Sequence, residues 1–198
     1  AVRELLRRDN MTKQQRAVVE RLHKEIHALR QKLANQADKI ENLKRQAMED
    51  PMTGLANRRA FERALEQTLA YYRRYSRPGA ILLMDVNDFK SINDSLGHLA
   101  GDALLKHIAR LLESHTRESD TVARIGGDEF CVILREVDSK EAKIKAAQLA
   151  KVIASTPCRF DGHDIHVSVS VGRCTFEEAS SRARLMKIAD NKMYTHKA

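Results

Sequence analysis

The sequence predicts an α+β fold: a mainly antiparallel sheet with flanking helices, preceded by a long separate helix. Three observations carry this. Residues 1–48 contain neither Gly nor Pro and place apolar residues at alternating steps of three and four. After Pro51, short apolar runs of strand length alternate with helical periodicities. Two of those runs, Thr121 to Ile125 and Phe130 to Leu134, flank Gly126-Gly127-Asp128-Glu129. That pattern reads as a β-hairpin, with the glycines supplying the positive φ a tight turn demands.

In the opening helix, taking Val19 as heptad position a puts Val19, Ile26, Leu33, Ile40 and Ala47 at a, and Leu22, Leu29, Gln36 and Leu43 at d. Mostly β-branched a with leucine d favours a parallel two-stranded coiled coil. Glu25 can pair with Arg30 across the seam, whereas Lys39 and Lys44 repel. His23 and His27 fall at e and b, a solvated face rather than a metal site. The coil is expected to end at Met48-Glu49-Asp50-Pro51, since proline cannot continue a helix. Residues 1–48 and 49–198 are therefore read as two domains.

Asn57 is a good N-cap for a helix through Phe61, Leu65, Leu69 and Tyr72, closed by Pro78-Gly79. Ala80 to Asp85 is a continuous apolar run ending in an acid, expected to be a central strand buried on both faces. The following stretch fails as an EF-hand, because Phe89 and Lys90 stand where a ligand and the turn glycine belong. Ser91 to Leu96 is expected to be a short helix. Gly97 to Asp102 reads as a loop capping a helix through Leu104, Leu105, Ile108 and Leu112. Beyond the hairpin, a helix over Lys140 to Ser155 carries Ile144, Ala147 and Val152. A second hairpin is expected to turn at Asp161-Gly162 into Ile165 to Val171, and Ser181 to His196 makes the last helix.

Composition sets limits. With 42% hydrophobic and 31% charged residues in 198, a soluble globular chain of one or two domains is expected, with no segment long enough to span a bilayer. No signal peptide is visible and the chain begins with Ala1, so an excerpt of a longer protein is expected. Cys131, Cys158 and Cys174 form no CxxC or Cys/His cluster, which points to a reducing cytoplasm and away from zinc. Residues 1–49 hold twelve Lys/Arg and seven Asp/Glu, so five of the eight net positive charges lie there, mixed with acids. That is a solvated helix surface rather than a nucleic-acid face, and residues 1–11 are too short and mixed for the basic region of a DNA-binding zipper.

The chemistry rests on acids. No GxxxxGK[ST] loop and no GxGxxG occurs. Asp85 ends one strand, while Asp128 and Glu129 sit at a hairpin whose strands can neighbour it. Carboxylates at one sheet edge suit Mg²⁺, a hard cation usually held by few acids plus substrate phosphates. Lys90 offers a point charge for phosphate, and Asn93 and Asp102 suit a guanine edge. Each also has a plain reading, Asp102 as a helix N-cap, Asn93 as a turn residue and Lys90 as surface.

Together the motifs are more specific. Asp50-x-Met-Thr-Gly-Leu-x-Asn-Arg58, Asp85-Val-Asn-Asp-Phe-Lys-x-Ile-Asn93, Gly97-His98-x-x-Gly-Asp102, Arg124-x-Gly-Gly-Asp-Glu-Phe130 and Ser170-Val-Gly172 occur in this order. Over residues 50–197 the chain resembles the GGDEF-domain diguanylate cyclases. The resemblance implies a palm-like, nucleotidyl cyclase-type fold. It also implies condensation of two GTP into cyclic di-GMP with release of two pyrophosphates. Matched by position, Asp85, the Val86 carbonyl, Asp128 and Glu129 would hold Mg²⁺ or Mn²⁺, and Asp128 is a proposed proton acceptor. Which acid is base and which is ligand stays open. Phe89 and Lys90 would lie along the phosphates, Asn93, His98 and Asp102 around guanine, Lys197 near the terminal phosphates, and Gly126 and Gly127 against the nucleotide.

The resemblance further implies a homodimer that brings two GTP-loaded domains together, with the coil transmitting input from an upstream sensor domain. Arg117-Glu-Ser-Asp120 matches the RxxD product-inhibition site, where a surface ion pair is the plain alternative. Met52 replaces a usual leucine, Asn87 stands where a second acid is common, and the sequence stops before a Gly-Arg-Asn often found there. The competing expectation is a catalytically idle GGDEF domain acting as a GTP or cyclic di-GMP receptor and dimeric scaffold.

Overall fold

The computed structural model describes residues 12–195. It divides the chain into two compact units, Ala1–Ala47 and Met48–Ala198. The described part of the first is helix α1 (Lys13–Met48), 36 residues long, or about 54 Å at the usual rise. None of its residues is buried; Leu22, Ile26, Leu29, Leu33, Ile40 and Leu43 are all exposed, Leu33 by 67%. The heptad stripe therefore has no cover among the described residues.

The second unit runs α2 (Arg58–Tyr75), β1 (Gly79–Val86), α3 (Phe89–Leu96), α4 (His98–Ser114), β2 (Thr121–Arg124) and β3 (Glu129–Arg135). It continues with α5 (Ser139–Ser155), β4 (Cys158–Phe160), β5 (His163–Ile165), β6 (Val169–Thr175) and α6 (Arg182–Tyr194). The main sheet has strand order β2-β3-β1-β6, with every neighbouring pair antiparallel. β1 is central and buried on both faces as its apolar run requires. Alternation along it sends Leu82 and Met84 toward α4 and α5, and Ile81 and Leu83 toward α2 and α6. The result is three layers, helices on each face of an antiparallel sheet.

Local chemistry explains most boundaries. Asn57 caps α2, its side-chain oxygen accepting from the Ala60 amide at 3.0 Å. The chain leaves that helix through Ser76 in the left-handed region, before Pro78. Asp138 and Glu141 form a capping box at the start of α5. Three expectations need correction. Gly97 makes the reversal before α4 in one residue at φ 83°, so helix begins at His98 and Asp102 lies inside it, not at its cap. α5 buries Ala142, Ala146, Leu149 and Ile153 instead of the face with Ile144, which is 59% exposed; the small residues let the helix lie close to the sheet. The hairpin around Asp161-Gly162 is only β4 with β5, and the Val/Ser alternation belongs to β6 in the main sheet. That strand needed a partner 83 to 95 residues earlier in the chain, which local pattern does not reveal.

Candidate active site

The β1–β3 register places Asp85 directly opposite Glu129, with Ser170 opposite Asp85 on the other side. Directly paired residues hold their Cβ atoms about 4.5–5.5 Å apart on one face. Both carboxylates thus leave the sheet on the side of α2 and α6. Asp128 precedes β3 in the turn, where the Val86 amide donates to its carbonyl at 3.1 Å. One backbone bond therefore ties the end of β1 to the acidic turn.

The turn departs from expectation. Its connection is the four residues Ile125 to Asp128, closed by the Ile125 amide donating to the Glu129 carbonyl at 2.9 Å. Neither Gly126 nor Gly127 has positive φ; the glycines that do are Gly54, Gly97 and Gly162. Gly126 instead sits against the Glu129 side chain, whose carboxylate would have to shift to admit a Cβ there. Around Gly127 no atom lies within 4 Å of such a Cβ, leaving open space beside Asp128.

Three residues that carried motif but no assigned role hold this turn. Arg124 donates from Nε (3.1 Å) and Nη2 (2.7 Å) to the Gly127 carbonyl, and from Nη1 to both Asp50 oxygens at 3.1 and 3.2 Å. Arg58 donates from Nε to the Ile125 carbonyl at 2.9 Å, and its Nη2 lies 3.9 Å from Glu129. Asp50 accepts from the Thr53 amide (2.9 Å) and hydroxyl (2.7 Å). Burial pushes the Asp50 carboxyl up, but the Thr53 bonds and Arg124 outweigh it, holding the group below the usual carboxylate range. An arginine beside a Gly-Gly turn, with an acid at the head of a separate motif, was the available sequence signal.

The guanine-side candidates gather at α3 and α4. A Cβ on buried Gly101 would strike Asn93 Oδ1 and lie 3.1 Å from Phe89 Cζ, so this glycine lets α3 nest on α4. Phe89, Lys90 and Asn93 thus share α3, while His98 and Asp102 lie one turn apart on α4. Asn87 is turned away from metal chemistry: its amide donates to Ser168 Oγ and accepts from Ser170 Oγ, both at 2.8 Å.

Two calls stand apart. Arg117 and Asp120 lie at the opposite end of β2 from the turn, beside a cavity of about 220 Å³ shared with Glu141, Lys145 and Gln148. Asp120 accepts from the Arg117 and Arg135 amides at 3.1 and 3.2 Å, so it braces the loop. Lys197 lies outside the described residues. Among the described residues no three His, Cys, Asp or Glu side chains converge closely enough to hold a metal by themselves.

The antiparallel sheet with flanking helices thus presents two opposed carboxylates beside the acidic turn. The chain belongs to the diguanylate cyclase GGDEF-domain family, whose model matches residues 47–198. It is 38% identical over 160 residues to the diguanylate cyclase DgcP of Pseudomonas aeruginosa, covering 80% of this chain and 24% of that protein. It is also 40% identical over 141 residues to the cyclic di-GMP phosphodiesterase NbdA of the same organism, 71% of this chain and 18% of NbdA. It spans only about a quarter of DgcP and a fifth of NbdA. The coiled coil and GGDEF domain of Caulobacter crescentus DgcB superimpose with TM-score 0.82 at 22% identity, over 89% of this chain and 94% of that one. That similarity extends the shared fold to the long helix.

Proposed function

We propose that this chain is a diguanylate cyclase, condensing two GTP into cyclic di-GMP with release of two pyrophosphates. The observation that carries this is the cross-strand pairing of Asp85 with Glu129, with Asp128 hydrogen-bonded to the end of the same strand. Asp85, the Val86 carbonyl, Asp128 and Glu129 would hold Mg²⁺ or Mn²⁺. The donor set fits in kind, because all are oxygen, the ligand such hard cations take alongside substrate phosphates. When bound, the ion neutralises phosphate charge in the transition state.

The chain's own residues supply positioning. Asn93, His98 and Asp102 orient guanine, Phe89 and Lys90 lie along the phosphates, Lys197 is assigned to the terminal ones, and the open surface at Gly127 admits the nucleotide. The 3′-hydroxyl of one GTP attacks the α-phosphorus of the other. An O–P bond forms, the α–β bridge breaks, and the hydroxyl proton passes to Asp128 or to solvent. The same step repeated closes the ring.

One domain presents one GTP, so two domains must face each other across a two-fold. The uncovered heptad stripe of α1 supports a parallel coiled-coil homodimer relaying an upstream sensor's signal. The 220 Å³ cavity beside Arg117 and Asp120 supports their role in product inhibition. The three buried free thiols support a reducing, cytoplasmic setting; among the described residues no helix is long and apolar enough to cross a membrane.

The phosphodiesterase name of NbdA favours keeping a second reading in the test, a catalytically idle receptor for GTP or cyclic di-GMP. The assay is incubation of the dimer with GTP and Mg²⁺ or Mn²⁺, products resolved chromatographically. The expected result is cyclic di-GMP, reduced about 100-fold or more in Asp128→Ala. Nucleotide binding without product at any metal concentration selects the receptor.

A further inference from the structure

We infer that Asp50 and Arg124 form a positioning pair for the acidic turn, so that the pair sets where Asp128 stands. This rests on the proposed cyclase reading and deepens it. The turn Ile125 to Asp128 has one backbone closure of its own, from the Ile125 amide to the Glu129 carbonyl. Its remaining grip comes from outside. Arg124 spends two donors on the Gly127 carbonyl, the peptide unit that leads into Asp128.

The third donor of that guanidinium is fixed by Asp50, whose carboxylate is in turn locked by two bonds from Thr53. The pair is largely shielded, with side chains 11% and 17% exposed. An arginine fork in such a setting holds direction as well as charge, which lysine cannot copy. The backbone repeats the tie. The Ala56 amide donates to the Val122 carbonyl and the Arg124 amide to the Ala56 carbonyl, so Ala56 pairs with Ala123 of β2.

Asp50 lies two residues beyond the end of α1. A displacement of the segment around Asp50 is therefore felt at the acidic turn through this pair, beside the Arg58 bond to the Ile125 carbonyl. Phosphoryl transfer depends on alignment, so a small shift of Asp128 acts on turnover rather than on guanine recognition.

The test uses the full chain with Arg124→Gln, Arg124→Lys, Asp50→Asn and the Asp50→Asn/Arg124→Gln double variant. Mn²⁺ affinity is read by electron paramagnetic resonance with a non-reacting GTP analogue, beside kcat, KM for GTP and the thermal midpoint. The expected result is Mn²⁺ affinity and kcat each lower by about 10- to 100-fold with KM essentially unchanged. The double variant should be no worse than the worse single, as for residues acting as a unit. Unchanged Mn²⁺ affinity and kcat in folded variants would overturn the pair, as would losses that multiply in the double variant. Should Arg124→Gln not fold, Arg124→Lys decides by the same readouts. A wild type that makes no product refutes the cyclase reading, yet the analogue-loaded Mn²⁺ affinity still decides the pair.

Discussion

Gly101→Ala sets two effects of known sign against each other. In a helix interior alanine is better than glycine by about 0.5–1 kcal/mol. Against this, the new methyl would meet Asn93 Oδ1 well inside contact distance, with Asn93 Cγ at 3.0 Å and Phe89 Cζ at 3.1 Å. Overpacking of this kind costs about 1–3 kcal/mol. The stability loss left over is about 1 kcal/mol, or a midpoint lower by about 2–4 °C for a unit of this size. Part of the clash can be relieved by rotating the Asn93 amide, which lowers the stability cost. The same rotation moves the amide proposed to read guanine, so nucleotide affinity should suffer more surely than stability. Loss of one hydrogen bond, about 0.5–1.5 kcal/mol, corresponds to roughly 2- to 12-fold weaker binding. Calorimetric titration with a non-reacting GTP analogue and thermal unfolding measure the two quantities. A variant more stable by about 1 kcal/mol with unchanged affinity would refute the reasoning, since the α3–α4 contact would then have slack.

Further expectations concern the coil, the loop at Arg117 and acid stability. Leu29→Pro, in the middle of α1, should give a monomer that binds GTP but makes no cyclic di-GMP; full turnover by a monomer, shown by light scattering, would contradict dimer-dependent catalysis. Arg117→Ala should leave initial rates unchanged and relieve inhibition by added cyclic di-GMP; an unaltered inhibition curve would remove Arg117 from that role. The Asp50 carboxyl is held below its usual pKa, so the stability it confers is fully present above the unfolded value and lost as pH falls through the folded one. Denaturant unfolding should therefore show Asp50→Asn with a shallower loss of stability below about pH 4 than wild type.

Periodicity and motif order made much of this protein legible. The heptad pattern without Gly or Pro specifies α1, because a helical face repeats locally. The Ala80–Asp85 run announces a doubly buried strand, and Asn57 and Pro51 mark helix ends by their own backbone chemistry. The motifs also pointed to the acids Asp85, Asp128 and Glu129 at the strand ends. Where the expectation went wrong, a non-local partner was decisive. Ile144 looked like a core residue of its helix until α5 turned its alanine face to the sheet.

By itself the sequence determined most of the helices and strands, which residues bear the charge, and which family the motifs match. Only the tertiary structure decided that Asp85 faces Glu129, since that depends on a register between strands more than forty residues apart. It alone showed that Gly126 sits against the Glu129 side chain and takes no positive φ. It also joined Asp50 to Arg124 and Arg124 to Gly127, turning two separate motifs into one support for the acidic turn. The physical reason is range: propensity and periodicity act within a few residues, whereas a site is made by side chains that only packing brings together.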